Sequence, residues 1–192
     1  MDTYLLLAYI TGGLLVAYSL FLYIFPSRKV NLYLKAGSNL ISCINLTFIY
    51  LYTDNPLVIV GIVTNAICIV REILFSFRDN CKILNHLAWP IGFSIILMLS
   101  LVFTYTSPLS LLPPIGSVVT TMCFYAKSPK ILKTGAIVAT AIYIVYYAIL
   151  IPSSDTLTIF ALLCTVAGFI SSTVGLIVLL YKEKHTPVEE TN

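Results

Sequence analysis

Charged residues are scarce in this chain, and their scarcity excludes an ordinary soluble domain. Asp, Glu, Lys and Arg make up 10% of the 192 residues, whereas hydrophobic residues make up 59% and the mean hydropathy is +0.97. Soluble domains carry charges at about a quarter of their positions. The composition therefore predicts an integral membrane protein whose principal partner is the lipid bilayer.

The chain also lacks the residue clusters on which most enzymes and metalloproteins depend. Its two histidines, His86 and His185, fall outside the apolar segments, and its five cysteines include no CxxC pair. Neither a zinc site nor a disulfide framework is therefore indicated. The last apolar segment has no lysine before Lys182, which removes a buried Schiff-base site. We expect no enzyme activity, no cofactor and no metal.

Basic residues are missing from one of the two sets of loops. Seven segments are long and apolar enough to cross a bilayer, which takes about 20 residues: 4–25, 34–52, 56–77, 87–103, 109–125, 132–151 and 157–181. All 11 Lys and Arg residues lie on one side of this path, and the other loops hold Asp2, Asp54 and Asp155. Short loops rich in Lys and Arg stay in the cytoplasm. We predict a multi-pass inner (cell) membrane protein with its N-terminus outside and its C-terminus cytoplasmic.

The order of the segments predicts an all-α protein built from two parallel repeats. Residues 4–77 form a first triple-helix repeat, 87–103 a linker helix and 109–181 a second triple-helix repeat, within one membrane domain over 1–181. A shift of 101 positions places Lys29 on Lys130 and Asp54 on Asp155, although identity between the halves is low. The alternative is another kind of seven-helix bundle. The polar tail 182–192 is predicted to be a disordered cytoplasmic end.

Two helix-weakening dipeptides coincide under the same shift. Gly12–Gly13 lies in the first segment and Pro113–Pro114 in the fifth. Proline removes a backbone donor and glycine loosens a helix, and matching interruptions in two halves indicate a transporter's binding site. We therefore predict that Gly12, Gly13, Pro113 and Pro114 act as hinges. The alternative is that the prolines only begin a helix, where they are well tolerated.

Polar side chains recur at the depth of the bilayer centre. Counting about 1.5 Å per residue places four of them near the middle of their segments: Asn45, Asn65, Ser117 and Tyr143. Amides are costly against lipid, so these side chains are predicted to face the bundle interior and to line a substrate cavity. The alternative is that they bond neighbouring helices to each other.

Arg71 is the third kind of candidate, because it lies within the third apolar segment. Intramembrane ionisable residues are functional candidates, and we predict that Arg71 guards the inner mouth of the cavity. The alternative is that its side chain extends to the membrane surface. No Asp or Glu lies near the middle of a segment, which favours facilitated movement over proton-driven transport.

Two short motifs resemble those of YgjV-type bacterial inner-membrane proteins. The segment LLPPIGSVVTT at 111–121 is similar to the family's Leu-Leu-Pro-x-Ile-Gly-Thr/Ser segment, and Asn65–Ala66–Ile67 is similar to its Asn-Ala-Ile-Arg segment, with the arginine arriving later as Arg71. The family resembles the PQ-loop/SWEET superfamily of small-solute carriers in layout. One departure is that Gly168, Ser171 and Ser172 stand where the family carries Asn and Ile-Arg.

Together these features predict a small polar-solute transporter that works by alternating access between two three-helix bundles. The solute is not identified by the sequence. The alternative is a non-transporting membrane subunit or scaffold that binds another integral protein, and a homo-oligomer is compatible with both. The basic residues sit at the membrane edge, so no nucleic-acid partner is expected.

Overall fold

The described part of the chain consists of helices and turns, with no β-strand among residues 2–150 and 156–185 of this computed structural model. Its α-helices are α1 Thr3–Ser19, α2 Arg28–Thr53, α3 Leu57–Ser76, α4 Ala88–Leu99, α5 Leu101–Thr104, α6 Leu112–Tyr125, α7 Pro129–Leu150 and α8 Thr156–His185. Short 3-10 turns, Arg78–Asn80 and Lys82–Asn85, connect α3 to α4, and another, Pro108–Leu111, leads into α6. The all-α prediction is confirmed for these residues.

Several described helices have the length and composition of membrane spans. Four segments meet both criteria: Leu57–Ser76, Pro108–Tyr125, Pro129–Leu150 and Thr158–His185. The helix α1 and the segment Ala88–Thr104 are apolar but shorter. The helix α2 has 26 residues and includes Arg28, Lys29 and Lys35. These lengths and compositions identify a helical membrane protein.

The helices α1, α2, α4 and α5 depart from the predicted segments. The helix α1 stops at Ser19, although the apolar run continues to Phe25. The helix α2 starts at Arg28 rather than at 34, because the Ser27 hydroxyl accepts a bond from the Val30 N–H and caps it. The predicted linker helix is divided at Ser100 into α4 and α5.

The predicted disordered tail begins as helix. The helix α8 continues to His185, and its last turn carries Lys182 and Lys184, where basic side chains interact favourably with the helix dipole. The remaining tail positions, 186–192, lie outside the described residues, as does Asp155.

The helices α1–α3 form one triplet and α6–α8 form another. In each triplet the middle helix along the chain is also the middle one in space. The helix α2 packs against both α1 and α3, and α7 packs against both α6 and α8. The two triplets meet along α1 and α8, while on the other side α4 packs against α6 and also contacts α3. The six long helices therefore surround a space between the triplets.

The hydrophobic core lies at one end of this arrangement. We call that end the basic-loop end, because it holds the loops 20–27, 77–87 and 126–128; the opposite, acidic-loop end holds the α2–α3 turn at Asp54 and the loop 105–107. Phe75 makes edge contacts with Tyr125 and Phe93, with ring centroids 5.4 and 5.7 Å apart. The buried cluster comprises Leu22, Tyr23, Leu32, Phe75, Phe93, Phe124, Tyr125, Leu132 and Ala136. Packed side chains therefore fill the basic-loop end.

Candidate solute cavity

A cavity of about 850 Å³ lies between the two triplets and is lined by residues of α1, α2, α3, α6, α7 and α8. Its volume falls within the range of about 300–1,000 Å³ that is usual for small-molecule sites. The lining residues extend to Asn55 and Thr104 at the acidic-loop end, where Asn55 is exposed, and in the other direction to Tyr23 and Arg71, which are both buried, and to Lys35. The cavity is therefore open towards the acidic-loop end and closed by the core at the basic-loop end.

Asn45 lines this cavity and also bonds α2 to α1. Its Nδ2 donates to the carbonyl of Ala8 at 2.7 Å and to the hydroxyl of Thr11 at 2.8 Å. Both N–H groups are therefore used within the first triplet. The carbonyl Oδ1 accepts no hydrogen bond from a described residue, so it remains able to accept one from a solute.

Asn65 faces the same cavity from α3 with fewer bonds to the protein. Its Nδ2 donates to the Gly61 carbonyl one turn earlier, at 2.8 Å, and so bonds only its own helix. The second N–H and the Oδ1 have no hydrogen-bond partner among the described residues. Of the two amides, Asn65 has more free capacity to bind a solute.

Ser117 and Tyr143 form the corresponding contact in the second triplet. The hydroxyl oxygens are 2.8 Å apart, and the Tyr143 hydroxyl donates to the Pro113 carbonyl at 3.0 Å. Gly116 permits this arrangement, because a Cβ there would lie 3.0 Å from the Tyr143 ring. Both residues line the cavity, so all four predicted cavity residues lie on its wall.

The four hinge candidates do not form matched helix interruptions. The helix α1 continues through Gly12 and Gly13, and Pro113 and Pro114 occupy the first turn of α6, the alternative position considered above. Prolines are tolerated there because the first N–H groups of a helix lack intrahelical partners. Gly12, Pro113 and Pro114 line the cavity, whereas a Cβ at Gly13 would meet nothing within 4 Å.

Arg71 faces the interior at the closed end of the cavity rather than the membrane surface. It is 1% exposed, and its guanidinium donates to the Glu72 carboxylate and to the Thr121 hydroxyl, each at 2.8 Å. Thr121 belongs to α6, so this contact joins the two triplets. The Asn39 amide donates to the other Glu72 oxygen at 2.8 Å, which completes a buried polar network below the cavity.

The network contains residues that the sequence analysis did not select. Glu72 lies on the same face of α3 as Asn65 and Cys68, and the three residues form a polar stripe. On α2, Asn39 lies two residues after Gly37 and one turn before Cys43. The stripe was a signal for Glu72, whose side chain is 0% exposed. Thr121 carried no comparable signal in the sequence, and its hydroxyl also donates to the Ser117 carbonyl of its own helix.

Cationic side chains at the basic-loop end join each triplet to the other. Arg28 donates to the carbonyls of Phe75 and Phe124 at 2.9 and 3.0 Å. Lys133 is 0% exposed and donates to the Phe25 carbonyl at 2.8 Å. Cations are favourable at the carbonyl ends of helices. Two further contacts reach from Lys133 to the Tyr23 carbonyl and from Arg78 to the Tyr125 carbonyl.

At the same level, the helix α8 contacts the segment that follows α1. The Ser171 hydroxyl accepts a bond from the Tyr23 N–H at 2.9 Å. A Cβ at Gly175 would lie 2.6 Å from the Lys133 Nζ and would also overlap the Tyr23 carbonyl oxygen. Glycine at 175 therefore makes room for the ammonium group and its acceptor.

Comparison of the sequence with models of known families, with curated proteins and with solved structures found no match.

Proposed function

We propose that the chain is a seven-span inner-membrane transporter for a small polar solute, with its N-terminus outside and its C-terminus in the cytoplasm. The orientation is supported by the 11 basic residues on one side of the predicted path. The seven spans would comprise α1, α2, α3, the pair α4–α5, α6, α7 and α8. The likeness of the LLPPIGSVVTT segment to YgjV-type proteins is part of the same proposal.

The observation that carries this proposal is a cavity between two triplets that has amide and hydroxyl side chains on its wall and is open at one end only. In the proposed orientation the opening faces the outside. Alternating access requires a second state in which the closure moves to the other end. The contacts of Arg28, Lys133 and Arg78 would separate in that state, while the acidic-loop ends of the triplets approach each other.

Flux into proteoliposomes tests the transport proposal. Purified protein is reconstituted, and uptake of labelled small solutes, both neutral and charged, is compared with uptake by empty vesicles. We expect saturable uptake of at least one solute. No uptake above empty vesicles by protein that melts cooperatively would contradict transport and favour the subunit or scaffold alternative.

The two amides provide a matched pair of variants for the cavity. Asn65→Leu is expected to abolish flux while reducing stability little, because Asn65 bonds only its own helix. Asn45→Leu also removes two bonds to α1 and is expected to cost about 1–2 kcal/mol at about 0.6–1 kcal/mol per bond. Thermal melting and flux are measured on both. Equal losses of stability and flux in Asn65→Leu would assign that residue to packing.

Two native cysteines report on the open end. Cys68 and Cys164 line the cavity, whereas Cys81 lies in the basic-loop end connection between α3 and α4. In sealed vesicles of known orientation, a membrane-impermeant thiol reagent should modify Cys68 and Cys164 from outside and Cys81 only from inside. Variants that retain one cysteine at a time separate the three signals. Modification of Cys68 only from the inside would reverse the proposed opening.

A further inference from the structure

The closed end of the cavity carries positive charge that no cavity carboxylate balances. Lys35 and Arg71 both line it there, and no Asp or Glu is among the described lining residues. Glu72, next to the cavity, forms an ion pair with Arg71 at 2.8 Å. Among Lys35, Arg71 and Glu72, one carboxylate against two cations leaves a net charge of one positive unit beside the cavity.

Of these two cations, Lys35 presents free donors to the cavity. Lys35 is half-buried, and its ammonium makes no hydrogen bond or ion pair with a described residue. The Nε–H of Arg71 also has no hydrogen-bond partner in the described structure, but it is buried and is not accessible to a solute in the cavity. A charged group that is partly removed from water without a partner is costly, so the Lys35 ammonium favours an acceptor that carries negative charge.

We propose that the cavity binds a solute with a single anionic group, of the carboxylate class, at the ammonium group of Lys35. A carboxylate accepts hydrogen bonds from an ammonium group, and such charge-assisted bonds are stronger than neutral ones. Transport of this solute rests on the proposed function, whereas its binding does not.

The remaining wall determines which other groups the solute carries. Towards the opening, the wall presents amides and phenol hydroxyls: Asn45, Asn65, Tyr143, Tyr146 and Tyr147. These groups accept and donate hydrogen bonds without adding charge. A solute with an additional ammonium group would find no carboxylate on the described wall, so cations and zwitterions bind less well than monoanions.

Binding of matched carboxylates and amides to the purified protein tests this inference. The probes are lactate with lactamide and phenylacetate with phenylacetamide, and affinity is obtained from the ligand-dependent rise of the melting temperature. We expect at least one carboxylate to bind about tenfold or more tightly than its amide. Lys35→Gln should remove this preference and Lys35→Arg should retain it. Lys29→Gln is the control, because Lys29 is exposed on the same helix and does not line the cavity.

The outcomes separate the inference from the proposed function. Equal affinity for carboxylate and amide in the wild type, or an unchanged preference in Lys35→Gln, would overturn the anion site even if neutral solutes are transported. Carboxylate binding without flux would support the site and contradict transport. If Lys35→Gln does not fold, the wild-type carboxylate–amide comparison together with Lys35→Arg decides the question.

Discussion

At the basic-loop end, side chains of each triplet reach main-chain carbonyls of the other, whereas at the acidic-loop end the described hydrogen bonds between helices stay within a triplet. Lys133 and Arg28 represent the first kind of contact, and Asn45 and Tyr143 the second. The difference shows that, near the opening, the helices of each triplet are bonded to one another and not to the other triplet. The relative position of the triplets depends on a small set of polar contacts at the other end.

The largest effect is expected where the two regions meet, at the Arg71–Glu72 pair. Arg71→Met leaves the Glu72 carboxylate buried without its cation and should lower the free energy of unfolding by about 3–5 kcal/mol. The double variant Arg71→Met/Glu72→Met should recover most of this loss, because apolar replacement of both partners removes the unpaired charge. Denaturation in detergent measures both. A double variant no more stable than Arg71→Met would contradict the pairing.

The next effect tests whether the cross-triplet contacts keep the basic-loop end closed. Lys133→Met removes a buried ammonium and should cost about 1.5–3 kcal/mol, the range for hydrogen bonds to charged groups. It should also raise the labelling of Cys68 from the basic-loop side several-fold. Lys130→Met is the control on the same helix, because Lys130 pairs with Glu183 at the surface and such pairs contribute about 0–1 kcal/mol. Equal behaviour of the two variants would remove the distinction between the ends.

Adjacent glycines sharpen the comparison along α1. A Cβ at Gly12 would lie 3.3 Å from the Phe160 ring on α8, whereas Gly13 faces open space. Gly12→Val should therefore destabilise the contact between triplets by about 1–3 kcal/mol. Gly13→Val should change stability by no more than about 0.5 kcal/mol. The melting temperatures of the two variants provide the check, and a larger loss at Gly13 would mean that α1 faces the other way.

The smallest effect concerns the surface end of the Arg28 contact. The Asp79 side chain is 54% exposed and lies 3.3 Å from Arg28, so Asp79→Asn should cost less than about 1 kcal/mol. Arg28→Met should cost more, because it also removes the bonds to Phe75 and Phe124. Denaturation curves of both variants decide whether carbonyls or the carboxylate hold Arg28. An Asp79→Asn loss equal to that of Arg28→Met would favour the carboxylate.

Depth along each helix was the part of the site that the sequence could predict. Counting residues placed Asn45, Asn65, Ser117 and Tyr143 at similar levels, and all four line one cavity. Helical periodicity links Asn65 to Glu72 on one stripe, because positions seven apart share a face. The inward direction follows from the cost of placing amides against lipid.

The closure at the basic-loop end was not predictable, for two physical reasons. Its acceptors are carbonyls, which every residue carries, so no side-chain pattern marks Phe124 or Phe25 as an acceptor. The apolar run 20–25 resembles more of the first span, yet Leu22 and Tyr23 leave the helix and enter the core. Lys133 and Arg28 were therefore interpreted only as membrane-edge anchors.

The use of carbonyl acceptors has a consequence for how this protein can change over time. Substituting Phe25, Phe75 or Phe124 with another residue of suitable shape leaves the accepting main-chain oxygen in place. The contact with Arg28 or Lys133 is therefore kept when the sequence changes at an acceptor position. Only loss of the donating lysine or arginine removes it. These carbonyls do not titrate either, so acidification leaves them able to accept; the carboxylate of Asp79, which also accepts from Arg28, is not one of them.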